Sequence, residues 1–283
     1  MMADETDPAE TTETAVVRNP WRRLRSFTDA RIGLGRAGIS LPTSRLLEFQ
    51  LAHAQARDAV HWPLDVPALC EQLANCGEPV PAGEPIALHT RAEHRTMYLQ
   101  RPDLGRRLDE ASVERLSQTG DDHGAAFDLA LVVVDGLSAR AVQEHAAPFI
   151  SALAEALAED DATWRIAPLT VVEQGRVAIG DEIGERLNAR AVVVLVGERP
   201  GLSSPDSLGL YLTWAPRVGV TDADRNCISN VRPAGLALTE AARRLRYLLR
   251  EARERELSGV ALKDRSEDDV IEHAGEPGNF LTD

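Results

Sequence analysis

The side chains with chemistry to offer are scattered along the sequence. Cys70 and Cys76 have a spacing that fits no common zinc motif, and Cys227 stands alone. No nucleophile sits beside a readable base, and no cluster of metal ligands is spelled out. His123, in Asp121-Asp122-His123-Gly124, half-matches the D-x-H-x-x-G pattern by which some proteins supply a histidine to cobalt. The closing glycine would fall at 126, which is Ala126, so His123 reads as an exposed loop histidine. Gly33-Leu34-Gly35-Arg36-Ala37-Gly38 satisfies G-x-G-x-x-G. A dinucleotide fingerprint must follow a buried strand and open a helix. Here the preceding residues are polar and Pro42 follows closely, so the stretch reads as a glycine-rich turn between helices. No strand is expected before Gly33, and a stand-alone nicotinamide-dependent oxidoreductase is the alternative that such a strand would favour. Arg36, Glu93, His94, Asp135, Glu198, Arg199 and Asp224 lie at or near glycine-rich or strand-end turns. Such residues mostly cap turns, and Arg199 and Asp224 are read as braces. What remains is a chain that binds and positions while another chain carries the reacting centre.

The elements that must position these residues follow from hydrophobic patterning. Residues 191–196 form a short β-branched run, the mark of a strand buried on both faces. It breaks at Gly197-Glu198-Arg199-Pro200-Gly201. In an open α/β sheet ligands sit outside the carboxyl ends of the strands, so this turn lies where a ligand would be met. A second run, 208–214, stops at Ala215-Pro216-Arg217, and 222–230 reads as a third polar loop converging on the same edge. Upstream, 129–134 is a buried strand ending at Asp135-Gly136-Leu137-Ser138. Helix 139–158, strand 164–172 and helix 181–187 follow. This alternation predicts parallel pairing with right-handed crossovers. Residues 236–257 predict the last helix, with Gly259 as its stop.

Nearer the N-terminus, Pro42-Thr43-Ser44 starts a helix rich in Leu and Ala, with Thr43 as its N-cap. Residues 63–90 carry five prolines and predict a loop-rich connector with one short helix at 66–74. Helix returns over 91–121 around the Arg101-Pro102-Asp103 turn. The expected fold class is α/β, a Rossmann-like, mostly parallel sheet flanked by helices and preceded by a helical N-terminal region. The expected domains are a disordered acidic tail at 1–17, a mainly helical region at 18–122, an α/β domain at 123–263, and a disordered acidic tail at 264–283.

At 283 residues the chain can bury a core. Its net charge of −14 is concentrated in the two tails, and Arg22-Arg23-Leu24-Arg25 is a basic patch in an otherwise acidic protein. That patch reads as a solvated helix face or a docking surface for an acidic partner. The acidic balance argues against nucleic acid. No apolar stretch approaches the length of a membrane span, and the N-terminus has no basic and apolar regions of a secretory signal. Three sparse cysteines suggest a reducing compartment.

The motifs Val196-Gly197-Glu198-Arg199-Pro200-Gly201-Leu202, Ser204-Pro205-Asp206-Ser207-Leu208 and Ala223-Asp224-Arg225-Asn226-Cys227-Ile228-Ser229-Asn230 stand beside Ala30–Gly38, Tyr98–Leu108 and Asp135–Ser138. In that order they resemble the light chain of ethanolamine ammonia-lyase, an adenosylcobalamin-dependent enzyme. The resemblance covers roughly residues 19–263. It implies a small subunit of a hetero-oligomer whose large, barrel-folded subunit holds ethanolamine and the reactive face of the cofactor. It further implies that the cofactor keeps its own base on cobalt, so that no protein histidine is needed. The resemblance implies conversion of ethanolamine to acetaldehyde and ammonia, begun by Co–C homolysis and hydrogen abstraction by the adenosyl radical. Three positions carry over by motif as cobalamin contacts: Glu198, Cys227 and Val177, the last within Gly175-Arg176-Val177-Ala178-Ile179. No catalytic residue and no metal ligand is expected in this chain. The family is often enclosed in bacterial microcompartments through an N-terminal stretch. Here that stretch is short, acidic and without an amphipathic helix, so a free cytoplasmic complex is the alternative. A non-catalytic scaffold remains the reading from another class.

Overall fold

The computed structural model describes residues 16–120 and 126–266. His123 and most of both acidic tails lie outside the described residues. The chain divides into two compact units, one ending at Gln55 and the other beginning at Ala56.

The first unit holds β1 (Val16–Val17) and β2 (Arg36–Ala37), which pair antiparallel. Between them Pro20–Ser26 winds into a 3-10 helix with no buried residue. Gly33 and Gly35 have φ of 58° and 79°, in the left-handed region open to glycine. Side chains there would meet the backbone of Arg22 and Val17, at 2.9 and 2.7 Å. These glycines let the turn lie back on the preceding chain. No strand immediately precedes Gly33 and no helix opens at it, so the dinucleotide reading has no scaffold. Helix α1 (Thr43–His61) begins in this unit, where the sequence places it.

The second unit contains α2 (Val66–Leu73), β3 (Ile86–His89), α3 (Arg95–Gln100), α4 (Glu110–Gly120) and β4 (Phe127–Val134). Then come α5 (Ala139–Ala158), β5 (Thr170–Glu173), α6 (Ile179–Arg186) and β6 (Ala189–Gly197). It closes with β7 (Leu208–Trp214), β8 (Arg225–Val231) and α7 (Leu238–Arg255). The six-stranded sheet has the order β3-β5-β4-β6-β7-β8. The β3–β5, β5–β4 and β4–β6 pairs are parallel, and β6–β7 and β7–β8 are antiparallel. The α/β class and the mostly parallel sheet with flanking helices therefore hold.

Strand β4 shows why the apolar runs read clearly. Leu129, Leu131 and Val133 pack into a core layer with α2, α5 and α7. Ala130, Val132 and Val134 face the other layer, which contains Ile179 and Ile183 of α6. With both faces covered, polar residues have no place in the run. Helix α5 begins with Ser138 as N-cap, its hydroxyl accepting the Ala141 N–H at 3.3 Å. Helix α6 lies close to the sheet because Gly180 and Gly184 carry no Cβ. A Cβ at these positions would fall 2.2 Å from Val194 Cγ2 and 2.6 Å from Pro216 Cγ.

Four expectations need correction. The connector at 63–90 conceals β3, an edge strand too short to show a period. The strand expected from Trp164 forms only from Thr170, with an isolated bridge at Ile166. Pro168 lies between them and cannot donate to a ladder. The loop expected at 222–230 is instead a 3-10 turn, Asp222–Asp224, followed by β8. As an edge strand β8 buries only Arg225, Ile228 and Val231, which hides a two-residue period. Helix α7 stops at Glu256, in the left-handed conformation, rather than at Gly259.

Candidate functional site

Strands β5 and β6 flank β4 on opposite sides. The turns leaving their carboxyl ends therefore diverge, and a crevice opens at this switch point. A cleft of about 370 Å³ lies there. Gly136 and Leu137 border it after β4, Arg176 and Val177 after β5, and Glu198 and Arg199 after β6.

The floor of the crevice is a backbone contact. The Leu137 N–H donates to the Gly197 carbonyl at 2.8 Å. Beside it, Asp135 is only 3% exposed. Its carboxylate accepts the Gln174 and Gly175 N–H groups, each at 3.0 Å, and so holds the turn after β5 against the end of β4. Arg95 approaches the same carboxylate at 3.4 Å and donates to the Gly136 carbonyl at 2.8 Å. Burial raises the Asp135 pKa to about 6, while Arg95 and the neighbouring N–H groups oppose the rise.

The consequence for stability has a definite sign. The folded state binds this proton more tightly than the unfolded chain, so stability from this group rises as pH falls from about 6 towards the ordinary value of 3.8. A rise of this size corresponds to on the order of 3 kcal/mol. Urea unfolding should show a chain less stable at pH 7 than at pH 5, and Asp135→Asn should flatten that difference. The same difference in the variant would assign the titration to another group.

Glu198 leaves β6 half-buried, and its backbone N–H donates to the Ser207 carbonyl at 2.9 Å. Its Oε2 accepts the Ser207 hydroxyl at 2.5 Å and the Asn230 N–H at 3.2 Å. One carboxylate thus ties together the ends of β6 and β8 and the start of β7. The other oxygen, Oε1, faces Gly209, where a Cβ would come within 3.0 Å of it. Tyr211 stands beside them on β7, its phenol pKa raised first by burial and then by Cys227 and Glu198. It stays a neutral hydroxyl at the cleft wall. Arg176 has its guanidinium carbon 4.1 Å from the Tyr98 ring centroid. Its Nε is buried without a hydrogen-bond partner among the described residues.

Val177 and Glu198 therefore line one cleft. Cys227 is an exposed residue of β8, not of a loop. It is the register partner of Tyr211, which does line the cleft. Arg199 is exposed at the cleft, and Asp224 braces its turn by accepting the Thr221 N–H and hydroxyl at 3.0 and 2.7 Å. His94 caps α3 by accepting the Met97 N–H at 3.2 Å. Tyr98, Arg176 and Tyr211 are cleft residues that the sequence reading did not single out. Tyr98 meets the site through contacts far apart in sequence: its hydroxyl donates to the Gly175 carbonyl at 3.1 Å and its carbonyl accepts from Arg176 at 3.2 Å.

The arrangement suits binding more than covalent chemistry. The cleft presents the Glu198 carboxylate, two tyrosines and two arginines beside apolar and glycine surface. Its volume lies near the lower end for pockets that enclose a drug-sized ligand. It can cover one part of a large ligand.

Comparison with known proteins is consistent along nearly the whole chain. Residues 18–263 match the family model described as ethanolamine ammonia-lyase light chain. The ethanolamine ammonia-lyase small subunit of Pseudomonas aeruginosa strain UCBPP-PA14 is 58% identical over 269 residues, 94% of this chain and 96% of that protein. The protein of the same description from Ralstonia nicotianae is 56% identical over 278 residues, 98% of this chain and 100% of its own length. That of Azotobacter vinelandii is 58% identical over 264 residues, 93% and 95% of the two chains.

Proposed function

This chain belongs to the ethanolamine ammonia-lyase light-chain family, and from that premise we propose that it encloses part of adenosylcobalamin at the cleft between the turns after β4, β5 and β6. The observation that carries this reading is the joint placement of Val177 and Glu198 on that cleft, with Cys227 paired to its wall residue Tyr211. The chemistry of the donor set fits the cofactor. A corrin rim carries amides that both donate and accept hydrogen bonds, and Glu198 Oε1 can accept from one. Arg199 and the Tyr211 hydroxyl can donate. Val177 offers backbone and apolar contact, and Cys227 a small, soft surface.

When bound, adenosylcobalamin supplies the radical chemistry for converting ethanolamine to acetaldehyde and ammonia. This chain's residues hold and cover the cofactor. Glu198 is fixed for that task by Ser207 and Asn230 before any ligand arrives, which lowers the ordering cost of binding. Among the described residues no nucleophile–base pair borders the cleft, and a division of labour is proposed in which a large subunit holds the substrate and the reacting face. A cleft of about 370 Å³ leaves much of a corrin for that partner to cover. We place the complex in the cytoplasm, free or enclosed in a microcompartment.

Glu198→Ala removes the acceptor and also leaves Ser207 and Asn230 without their partner. Cobalamin retention by the two-subunit complex is expected to fall roughly 10- to 100-fold, the range of a charge-assisted hydrogen bond. Equilibrium dialysis with the corrin absorbance as readout measures it. Retention unchanged in this variant would contradict the assigned contact and favour a scaffold role.

A further inference from the structure

Away from the cleft, the second turn of α5 carries Glu144 and His145, and the loop between β6 and β7 carries Asp206. Among the described residues these form a group whose potential ligand atoms all lie within 4.8 Å of one another. His145 is only 8% exposed, and its Nε2 is buried with no hydrogen-bond partner among the described residues. Leaving a buried polar atom unpaired costs about 1–3 kcal/mol. That nitrogen points at two carboxylates, 3.6 Å from Asp206 Oδ2 and 3.9 Å from Glu144 Oε2.

The second oxygen of each carboxylate is turned elsewhere. Arg140 donates to Glu144 Oε1 at 2.7 Å, and Arg232 faces Asp206 Oδ1 at 3.5 Å. Each arginine orients its carboxylate and leaves one oxygen directed at the imidazole, as outer partners do around metal ligands. We propose that Glu144, His145 and Asp206 form a site for a divalent transition-metal ion of the zinc class. One imidazole and two carboxylates are a ligand set that zinc accepts, with a water completing four-coordination. Ligand atoms each 2.0–2.2 Å from zinc stand roughly 3.3–3.6 Å apart in a tetrahedral site. The His145–Asp206 separation already matches, and the exposed Glu144 side chain has room to close the remainder.

The ion would be structural. Asp206 sits one residue before Ser207, which holds Glu198, and one after Pro205, whose carbonyl accepts the Ser138 hydroxyl at 2.7 Å. An ion bound to α5 and to Asp206 therefore pins the loop that fixes the cleft rim. The inference does not depend on cobalamin binding, so either can fail alone.

The full-length chain, without a polyhistidine tag and stripped with EDTA, is titrated with Co2+ and followed by its visible absorption, with Zn2+ as competitor. One saturable equivalent displaced by Zn2+ is expected, and His145→Gln and Asp206→Asn should each weaken it tenfold or more. His53→Ala, which removes an unrelated histidine, should leave it unchanged. Circular dichroism verifies that the variants are folded. No saturable Co2+ band in the folded wild-type chain, or the same affinity in His145→Gln, would overturn the proposal.

Discussion

Arg225→Met is expected to destabilise the chain by about 3–5 kcal/mol, the cost of leaving one member of a buried ion pair alone. Arg225 Nη1 and Nη2 donate to the two oxygens of Asp181 at 2.6 and 2.7 Å, with both side chains 3% exposed. The guanidinium also donates to Thr213 Oγ1 at 3.0 Å and the Val220 carbonyl at 3.1 Å. This fork joins α6 to the edge strand β8, which has few apolar contacts of its own. In the variant the Asp181 carboxylate stays buried without its counter-charge. Thermal unfolding should show Tm lowered by roughly 10 °C for a chain of this size. The double variant Asp181→Leu/Arg225→Met should recover part of the loss, because the uncompensated charge is gone. A Tm within a degree or two of wild type in Arg225→Met would mean that the pair does not hold β8 in place.

Gly197→Ala should be at least as damaging, and at the cleft itself. A Cβ at Gly197 would lie 2.0 Å from the Ser138 carbonyl oxygen and 2.6 Å from that of Asp135. Both atoms are backbone, so no side chain can swing aside. Gly136 faces the same contact with φ of 58°, and a Cβ there would fall 2.3 Å from the Gly197 carbonyl. The turn after β4 and the end of β6 therefore cross with no space for a methyl group. Overpacking of a core costs about 1–3 kcal/mol when neighbours can shift, and here the neighbour is the backbone of the turn after β4 that shapes the site. The expected result is a chain recovered mostly in the insoluble fraction, or one whose folded remainder does not retain cobalamin. A soluble Gly197→Ala chain of wild-type Tm would show that the two turns separate freely.

What the sequence makes legible follows from where each residue faces. Strands β4 and β6 are covered on both sides, so their apolar runs stand out, and Gly136 and Gly197 punctuate them at the carboxyl ends. The switch-point rule then leads from the end of β6 to the turn bearing Glu198, whereas Val177 is reached only through the family motif. Strand β8 is obscure because an edge strand needs few buried residues, and its largest buried side chain is the charged Arg225. The motif points to Cys227, and the strand register pairs it with the cleft residue Tyr211, a pairing that the loop reading of 222–230 hides. Tyr98 and Arg176 lie in motif stretches, but nothing in those stretches marks the two as partners. Their stacked contact depends on the turn after β5 packing against α3, a long-range event that no local pattern encodes.

On the proposed function, this chain completes a cobalamin site that it does not form alone. The most direct measurement is gel filtration of the chain with adenosylcobalamin, with and without the large subunit of its enzyme, following corrin absorbance. The account predicts corrin co-eluting only when both chains are present, with little at the position of this chain by itself. Both chains eluting together while the corrin remains in the free-ligand volume would contradict it.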